Sequence, residues 1–128
     1  MIIEEYLTAI KTQLATSGSV DEFRIVEEWA QVDEGYIRVR IDLINGDFLE
    51  LAEYFVVLEG ECITRRYRYQ WMDAERRRLR KRWDNVEHYP DLPNFPHHIH
   101  LANGEVIAGH RLSILDVLAL LEDEVSGS

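Results

Sequence analysis

Residues 36–58, YIRVRIDLINGDFLELAEYFVVL, predict the kind of fold that the chain adopts. From Ile37 to Leu43, apolar and polar side chains alternate, which is the period of a β-strand with one buried face. The dipeptide Asn45-Gly46 follows, and it favours a short hairpin turn because both residues tolerate a positive φ angle. Residues 48–58 are the predicted return strand. We therefore expect an antiparallel β-hairpin.

Period-two patterns predict further strands on both sides of this hairpin, and both ends of the sequence are typical of helices. The further strands are predicted at residues 20–31, 62–72, 79–84 and, as a short sixth strand, 97–101. Apolar residues at helical spacing predict a helix at residues 2–16, and Ser113 is placed to cap a second helix. We predict a single α+β domain over residues 1–128. It is an antiparallel β-meander of five or six strands, flanked by an N-terminal and a C-terminal helix packed on one face.

The composition narrows the class of protein. A net charge of −10 argues against nucleic-acid binding by the surface as a whole. The longest apolar run, near residues 114–121, is too short to span a bilayer, which takes about 20 residues. Cys62 is the only cysteine, so no internal disulfide forms, and no signal peptide is visible. We therefore expect a cytoplasmic protein with no membrane association.

Positive charge and imidazole are concentrated in one part of this acidic chain. Residues 65–82 carry nine of the fourteen lysines and arginines, and residues 67–101 hold four of the five histidines. Core packing does not require such a concentration. Charges elsewhere are largely screened beyond about 10 Å at about 0.1 M salt, so a local basic site is compatible with the acidic total. A functional site is therefore expected here.

The histidines suggest acid–base chemistry. In an extended strand, His98 and His100 share a face and His97 points the opposite way. Two imidazoles on one face can act as general base and general acid, with a nearby carboxylate to orient one and an arginine to stabilise phosphate charge. The candidate catalytic residues are Arg82, Asp84, His88, His97, His98 and His100. We expect this chemistry to need no metal and no cofactor. Two alternatives stay open: metal ligation through His-x-His, and histidines bonded only to backbone groups.

The strand predicted at residues 62–72 carries aromatic side chains at alternate positions beside arginines. Such surfaces are typical of proteins that stack unpaired bases. The candidate nucleic-acid-binding residues are Arg65, Arg66, Tyr67, Arg68, Tyr69, Trp71, Arg80 and Lys81. On this pattern the odd-numbered residues share one face. The alternative is that this face belongs to the core, as alternating aromatics often do.

Several motifs resemble one known family. The residues Tyr67-x-Tyr69-x-Trp71, Arg82-Trp83-Asp84-Asn85 and Phe95-Pro96-His97-His98-x-His100 resemble the TumE-type toxins of toxin–antitoxin systems, as do Gly35-Tyr36-Ile37-Arg38-Val39-Arg40 and Glu53-Tyr54-Phe55. The resemblance covers most of the chain. It implies the toxin half of a two-gene module, with a protein antitoxin from an adjacent gene as partner. One departure is Tyr89, which stands where the family usually has a second histidine after His88.

The resemblance implies a toxin, and the histidine and arginine patterns lead us to expect that it acts on RNA as a metal-independent ribonuclease. One of His98 and His100 removes the 2′-hydroxyl proton, and another histidine protonates the leaving oxygen. Two alternative functions stay open: a non-enzymatic protein-binding module, and a metal-dependent hydrolase using the His-x-His stretch. The expected partners are the antitoxin and an RNA target, and a homodimer is left open.

Overall fold

The computed structural model describes residues 2–126 and has the predicted α+β architecture. Its elements are α1 (Ile2–Thr16), β1 (Val20–Ala30), β2 (Glu34–Leu43), β3 (Phe48–Leu58), β4 (Glu61–Met72), β5 (Leu79–Asp84), β6 (His98–Leu101), β7 (Val106–Ala108) and α2 (Ile114–Ser126). The strands form a sheet in the order β1 to β7, each antiparallel to the next. The meander is confirmed, but the sheet has seven strands where five or six were predicted. The additional strand, β7, has three residues, too few to show a period-two pattern.

The β2–β3 hairpin has the register that its alternation predicts. Ile41 lies opposite Leu49, and both side chains are buried. At the turn, Gly46 takes a φ angle of 92°, which is the left-handed region that glycine tolerates. The Asn45 side-chain oxygen accepts a hydrogen bond of 2.9 Å from the backbone N–H of Asp47. The predicted Asn-Gly turn is therefore confirmed.

Both helices contribute to a core on one face of the sheet. The buried apolar residues of α1 are Ile3, Leu7, Ile10 and Leu14, and those of α2 are Ile114, Val117, Leu118, Leu121 and Val125. They pack with buried residues of β2 to β5 in one cluster. Each fully buried aliphatic side chain contributes roughly 1.5–3 kcal/mol, so packing holds the helices in place. Within residues 2–126, neither helix is long and apolar enough to cross a membrane.

A buried carboxylate, Glu53 of β3, joins three elements inside this core. Its oxygens accept hydrogen bonds from the hydroxyl of Tyr6 at 2.7 Å, the hydroxyl of Thr64 at 2.7 Å and the backbone N–H of Ile114 at 3.0 Å. The bond from Ile114 satisfies an otherwise unpaired donor at the start of α2. Burial raises the pKa of Glu53, and burial together with the Glu53 charge raises the pKa of Tyr6. Tyr6 therefore keeps its proton and remains a donor.

The face of the sheet away from the helices, called the open face below, is polar. Residues that lie opposite one another on adjacent strands form rows across it. One row is Arg38, Ala52, Arg68, Asp84 and His98, and the next row is Arg40, Glu50, Gln70, Arg82 and His100. The open face thus brings predicted site residues of β4, β5 and β6 to one side of the sheet.

A bulge in β4 changes which side chains face the core. Thr64 lies opposite Phe55 and Arg66 lies opposite Tyr54, so Arg65 is an extra residue. An extra residue reverses the direction of the side chains that follow it. Thr64 is buried and Arg65 is exposed. The prediction of a continuous odd-numbered face on this strand is therefore wrong.

Candidate functional site

Strands β5 and β6 place four predicted site residues side by side on the open face. Asp84 lies opposite His98, and Arg82 lies opposite His100. Alternation sends the intervening Trp83 into the core, where it is buried. We call Arg82, Asp84, His98 and His100 the Asp84 cluster.

Asp84 is the buried centre of this cluster, because every other member points a nitrogen at it. His98 Nε2 lies 2.9 Å from Oδ1, Arg82 Nε lies 3.1 Å from Oδ2 and His100 Nε2 lies 3.6 Å from Oδ2. The backbone N–H of Val86 also donates to Oδ1 at 3.0 Å. A buried carboxylate is tolerated when it is paired and hydrogen-bonded in this way.

His98 faces acceptors with both of its ring nitrogens. Its Nδ1 lies 2.9 Å from the carbonyl oxygen of Pro96, and its Nε2 faces Asp84. A carbonyl and a carboxylate oxygen can only accept, so each ring nitrogen that carries a proton has an acceptor within reach. The side chain of His98 is 1% exposed. His98 therefore forms a buried contact with Asp84.

His100 has a donor, not an acceptor, as its nearest neighbour. Its Nε2 lies 3.0 Å from Arg82 Nη2, which can only donate, so this imidazole nitrogen accepts. Burial and the neighbouring Arg82 guanidinium lower the pKa of His100, so the ring is neutral at neutral pH. The side chains of His100 and Arg82 are 16% and 27% exposed. These two residues are the members of the cluster that solvent reaches.

The loop between β5 and β6 covers the buried half of the cluster. The Tyr89 ring packs edge-on against the rings of His98 at 4.8 Å and His100 at 5.9 Å, measured between centroids. His88 is exposed, and its ring lies 6.4 Å from the Tyr89 ring on the outside. The loop thus brings Tyr89 to the cluster and leaves His88 beyond it.

His97 points away from the cluster, as the alternation predicts. Its Nδ1 lies 3.0 Å from the hydroxyl of Tyr67, and the two rings are stacked with centroids 5.8 Å apart. Burial, and to a smaller degree Arg111, lowers the pKa of His97. Of the six predicted catalytic residues, the structure brings four together and leaves His88 and His97 apart.

The predicted nucleic-acid-binding residues divide by burial and pairing. Tyr67 and Tyr69 are buried, and their hydroxyls donate to the backbone oxygens of His110 and Leu112. Trp71 donates to Asp47, Arg80 lies 3.3 Å from the same carboxylate, and Lys81 lies 3.3 Å from Glu124. The core interpretation therefore accounts for the two tyrosines.

Three arginines of β4 remain available for binding. Arg65, Arg66 and Arg68 are exposed, and within residues 2–126 none has a carboxylate within ion-pair distance. Arg66 lies over the ring of Tyr54, with its guanidinium carbon 5.0 Å from the centroid. Arg68 donates to the side-chain oxygen of Gln70. These contacts leave their charges open to an anionic ligand.

The sequence reasoning missed an aromatic groove on the open face. It has a volume of about 1450 Å³, and Trp29, Tyr36 and Tyr54 line it together with the three β4 arginines. We call this surface the aromatic groove. Tyr36 and Tyr54 occupy polar-face positions of their strands, and that position was the signal in the sequence.

The Asp84 cluster also has the composition of a metal site. One ligand atom from each of Asp84, His98 and His100 can be chosen so that all three lie within 4.8 Å of one another. Two imidazoles and a carboxylate are a common ligand set for zinc. The contact from His98 Nδ1 to the Pro96 carbonyl matches the outer contact of many metal-bound histidines.

Comparison with protein families decides the class of protein. The family described as Toxin TumE matches residues 9–125, which is nearly the whole chain. The chain belongs to the TumE toxin family. It is therefore the toxin component of a toxin–antitoxin system, and the family implies an antitoxin as partner. No match was found among the curated proteins or the solved structures. In this member Tyr89, where the resemblance leads one to expect a histidine, covers the Asp84 cluster.

Proposed function

We propose that this TumE toxin is a metal-independent ribonuclease whose reacting groups are His100 and Arg82. The observation that carries the proposal is their contact on the open face, where Arg82 Nη2 lies 3.0 Å from a neutral, partly exposed imidazole. A neutral imidazole is a general base, and a guanidinium stabilises the charge of a phosphorane. The pair therefore has the two functions that phosphodiester transfer requires.

The reaction proceeds by attack of the 2′-oxygen on the neighbouring phosphorus. His100 Nε2 accepts the 2′-hydroxyl proton while Arg82 turns from the imidazole to the phosphate. A bond forms between the 2′-oxygen and phosphorus, and the bond from phosphorus to the 5′-oxygen breaks. The products are a 2′,3′-cyclic phosphate and a 5′-hydroxyl end, whose proton comes from solvent. His98 is too deeply buried to deliver that proton in this arrangement.

Asp84 and His98 act as positioning residues. The Asp84 carboxylate accepts from Arg82 Nε and so fixes the guanidinium beside His100. The imidazole of His98 contacts the same carboxylate at 2.9 Å and holds it in its buried position. Loss of either side chain frees Arg82 to move away from the imidazole of His100.

Growth inhibition by expressed protein tests the catalytic assignment. We expect His100→Ala to lose growth inhibition and to leave cellular RNA intact, because loss of a general base typically costs about 10²–10⁴-fold in rate. His110→Ala is the matched control, since that side chain is exposed and lies outside the Asp84 cluster. Full toxicity of a well-folded His100→Ala protein would instead indicate a non-enzymatic, protein-binding mode of action.

A metal-dependent hydrolase is the second candidate function, and the ligand distances in the Asp84 cluster favour it. In that case Asp84, His98 and His100 would hold a divalent ion, which would supply an activated water. Arg82 would compete with the ion, because it occupies the His100 nitrogen and the Asp84 carboxylate. RNA cleavage that continues in chelator supports the first function, and cleavage restored only by a divalent metal supports the second.

A further inference from the structure

A row of aromatic side chains crosses four strands on the open face, away from the Asp84 cluster. Trp29 of β1 lies opposite Tyr36 of β2, which lies opposite Tyr54 of β3 and then Arg66 of β4. The Trp29 and Tyr36 rings are stacked, with centroids 6.2 Å apart and planes 22° apart. The Arg66 guanidinium covers the Tyr54 ring at 5.0 Å. Core packing does not account for this row, because the helices lie on the other face.

These aromatic side chains form one wall of a groove, and the neighbouring row of residues lies beside them. In that row Ala52, a small side chain, lies between Arg38 and Arg68. A small side chain between long ones leaves a depression in the sheet surface, and Ala52 lines the groove. The rings of Tyr36 and Tyr54, which also contact Trp29 and Arg66, therefore border an open space.

Arginines of β4 also line the groove. The exposed Arg65, Arg66 and Arg68 line it, and within the described part of the chain none of them has a carboxylate within ion-pair distance. Four acidic side chains line the groove as well, those of Glu27, Asp33, Glu34 and Glu87. Three guanidinium groups without an ion-pair partner on one strand favour an anionic ligand along that strand. Flat rings beside unpaired arginines are the combination that binds single-stranded nucleic acid, through base stacking and phosphate contacts.

We propose that the aromatic groove binds unpaired bases of single-stranded RNA, with Tyr36, Tyr54 and Trp29 stacking on the bases and the β4 arginines contacting the phosphates. The choice of RNA over DNA rests on the proposed ribonuclease function. Bases within a duplex stack on one another, so their faces are not accessible to protein side chains. The groove therefore selects unpaired segments. The substrate class of the toxin is then single-stranded RNA.

The groove leads towards the reacting groups. Arg68, at its edge, lies opposite Asp84, and Asp84 holds Arg82. Adjacent strands are about 4.8 Å apart, so β3 and β5 are separated by about 10 Å across the sheet. A single strand stacked on Tyr54 therefore passes Arg68 before it reaches Arg82 and His100.

Affinity for a labelled oligoadenylate tests the inference. The probe is titrated in the His100→Ala background, which prevents cleavage, and the duplex of oligoadenylate with oligouridylate is titrated beside it. We expect Tyr54→Leu and Trp29→Leu each to weaken single-strand binding on the order of tenfold or more. Tyr54→Phe keeps the ring and should retain affinity. Thermal unfolding of each variant confirms that it is folded.

Phe48→Leu is the matched control for these variants. Phe48 lies on the same strand and face as Tyr54, but it does not line the aromatic groove, and the Arg76 guanidinium lies over its ring at 3.9 Å. Six residues of strand separate the two rings by about 20 Å. Single-strand affinity of the Phe48→Leu protein should therefore equal that of the background.

Each outcome of these titrations either supports or overturns RNA binding by the aromatic groove. The inference is overturned if folded Tyr54→Leu and Trp29→Leu proteins bind the single strand with unchanged affinity, or if the duplex binds as well as the single strand. The ribonuclease proposal still stands in that case, provided that the unmodified toxin cuts RNA. If the Tyr54→Leu and Trp29→Leu proteins lose antitoxin binding but keep oligoadenylate binding, the groove is a protein-docking surface, and the inference is overturned. Weakened oligoadenylate binding in a toxin that cuts no RNA supports the groove and refutes the ribonuclease.

Discussion

At the scale of single residues, the two histidines of the His-x-His motif have different environments. His98 is buried in contact with Asp84, and His100 reaches solvent beside Arg82. The alternation of β6 was enough to predict that they share a face, because side-chain direction along a strand is a local property. Their burial was not predictable, because it depends on how the loop with Tyr89 folds back over them.

Substitution of these two histidines should separate stability from activity. His98→Ala leaves the buried Asp84 without its closest side-chain contact, so we expect a loss of about 3 kcal/mol in the free energy of unfolding. His100→Ala removes a partly exposed side chain and should cost no more than about 1 kcal/mol. Denaturant unfolding of both proteins measures the difference. Equal stabilities would contradict the buried contact between His98 and Asp84.

The buried Glu53 should make stability depend on pH. Burial raises its pKa above the ordinary value, so the folded protein holds the proton more tightly than the unfolded chain does. Its favourable contribution is therefore complete below the unfolded pKa and is lost as pH rises through the folded pKa. We expect Glu53→Gln, which does not titrate, to gain in thermal midpoint relative to the unmodified protein as pH rises from acidic to neutral.

The matched control for this pH series is Glu61→Gln, at an exposed position at the start of β4. Its midpoint should follow that of the unmodified protein at every pH. A constant difference between Glu53→Gln and the unmodified protein across the series would show that the Glu53 carboxyl does not titrate differently on folding.

At the scale of elements, a glycine allows β2 to pack against a buried ring. A Cβ atom at Gly35 would lie 2.7 Å from Cζ of Phe55, and Phe55 is fully buried. We expect Gly35→Ala to lower the free energy of unfolding by about 1–3 kcal/mol, because the ring must shift within a packed core. Gly18→Ala has open space around it and should change stability by less than about 0.5 kcal/mol. Equal effects would contradict the packing at Gly35.

The arginines of β4 should govern the salt dependence of RNA binding. Each phosphate contact on a single strand contributes about 0.7 to the slope of log affinity against log salt concentration. Arg66→Ala combined with Arg68→Ala should therefore reduce the magnitude of that slope by about 1.4. Arg77→Ala makes the same kind of charge change in the β4–β5 connection, outside the groove, and should leave the slope nearly unaltered. An unaltered slope in the double variant would remove these arginines from the RNA site.

The strands show how much of the secondary structure the sequence patterns can predict. Alternation predicted β1 to β5 because each strand has at least six residues over which the period can be recognised. The bulge at Arg65 was not predictable, because it is set by the pairing of β4 with β3 and not by β4 alone. That one residue decides which arginines lie on the open face and which aromatics enter the core.

At the scale of the whole molecule, one face of the sheet packs in the apolar core and the other face is polar. The helices cover one face of the meander, and the open face carries both the aromatic groove and the Asp84 cluster. The sequence predicted this division, since helices at both ends of a meander of half-buried strands cover one side of it. The family adds an antitoxin as partner.

The chemical ends of cleaved RNA test the ribonuclease proposal most directly. Purified toxin is incubated with RNA in the presence of a chelator, and the new termini are identified. Attack by the 2′-oxygen predicts 2′,3′-cyclic phosphate and 5′-hydroxyl ends, no cleavage at a 2′-deoxy position and no cleavage by His100→Ala. Ends carrying a 3′-hydroxyl and a 5′-phosphate, formed only with a divalent metal, would contradict the acid–base role of His100, as would RNA that stays intact.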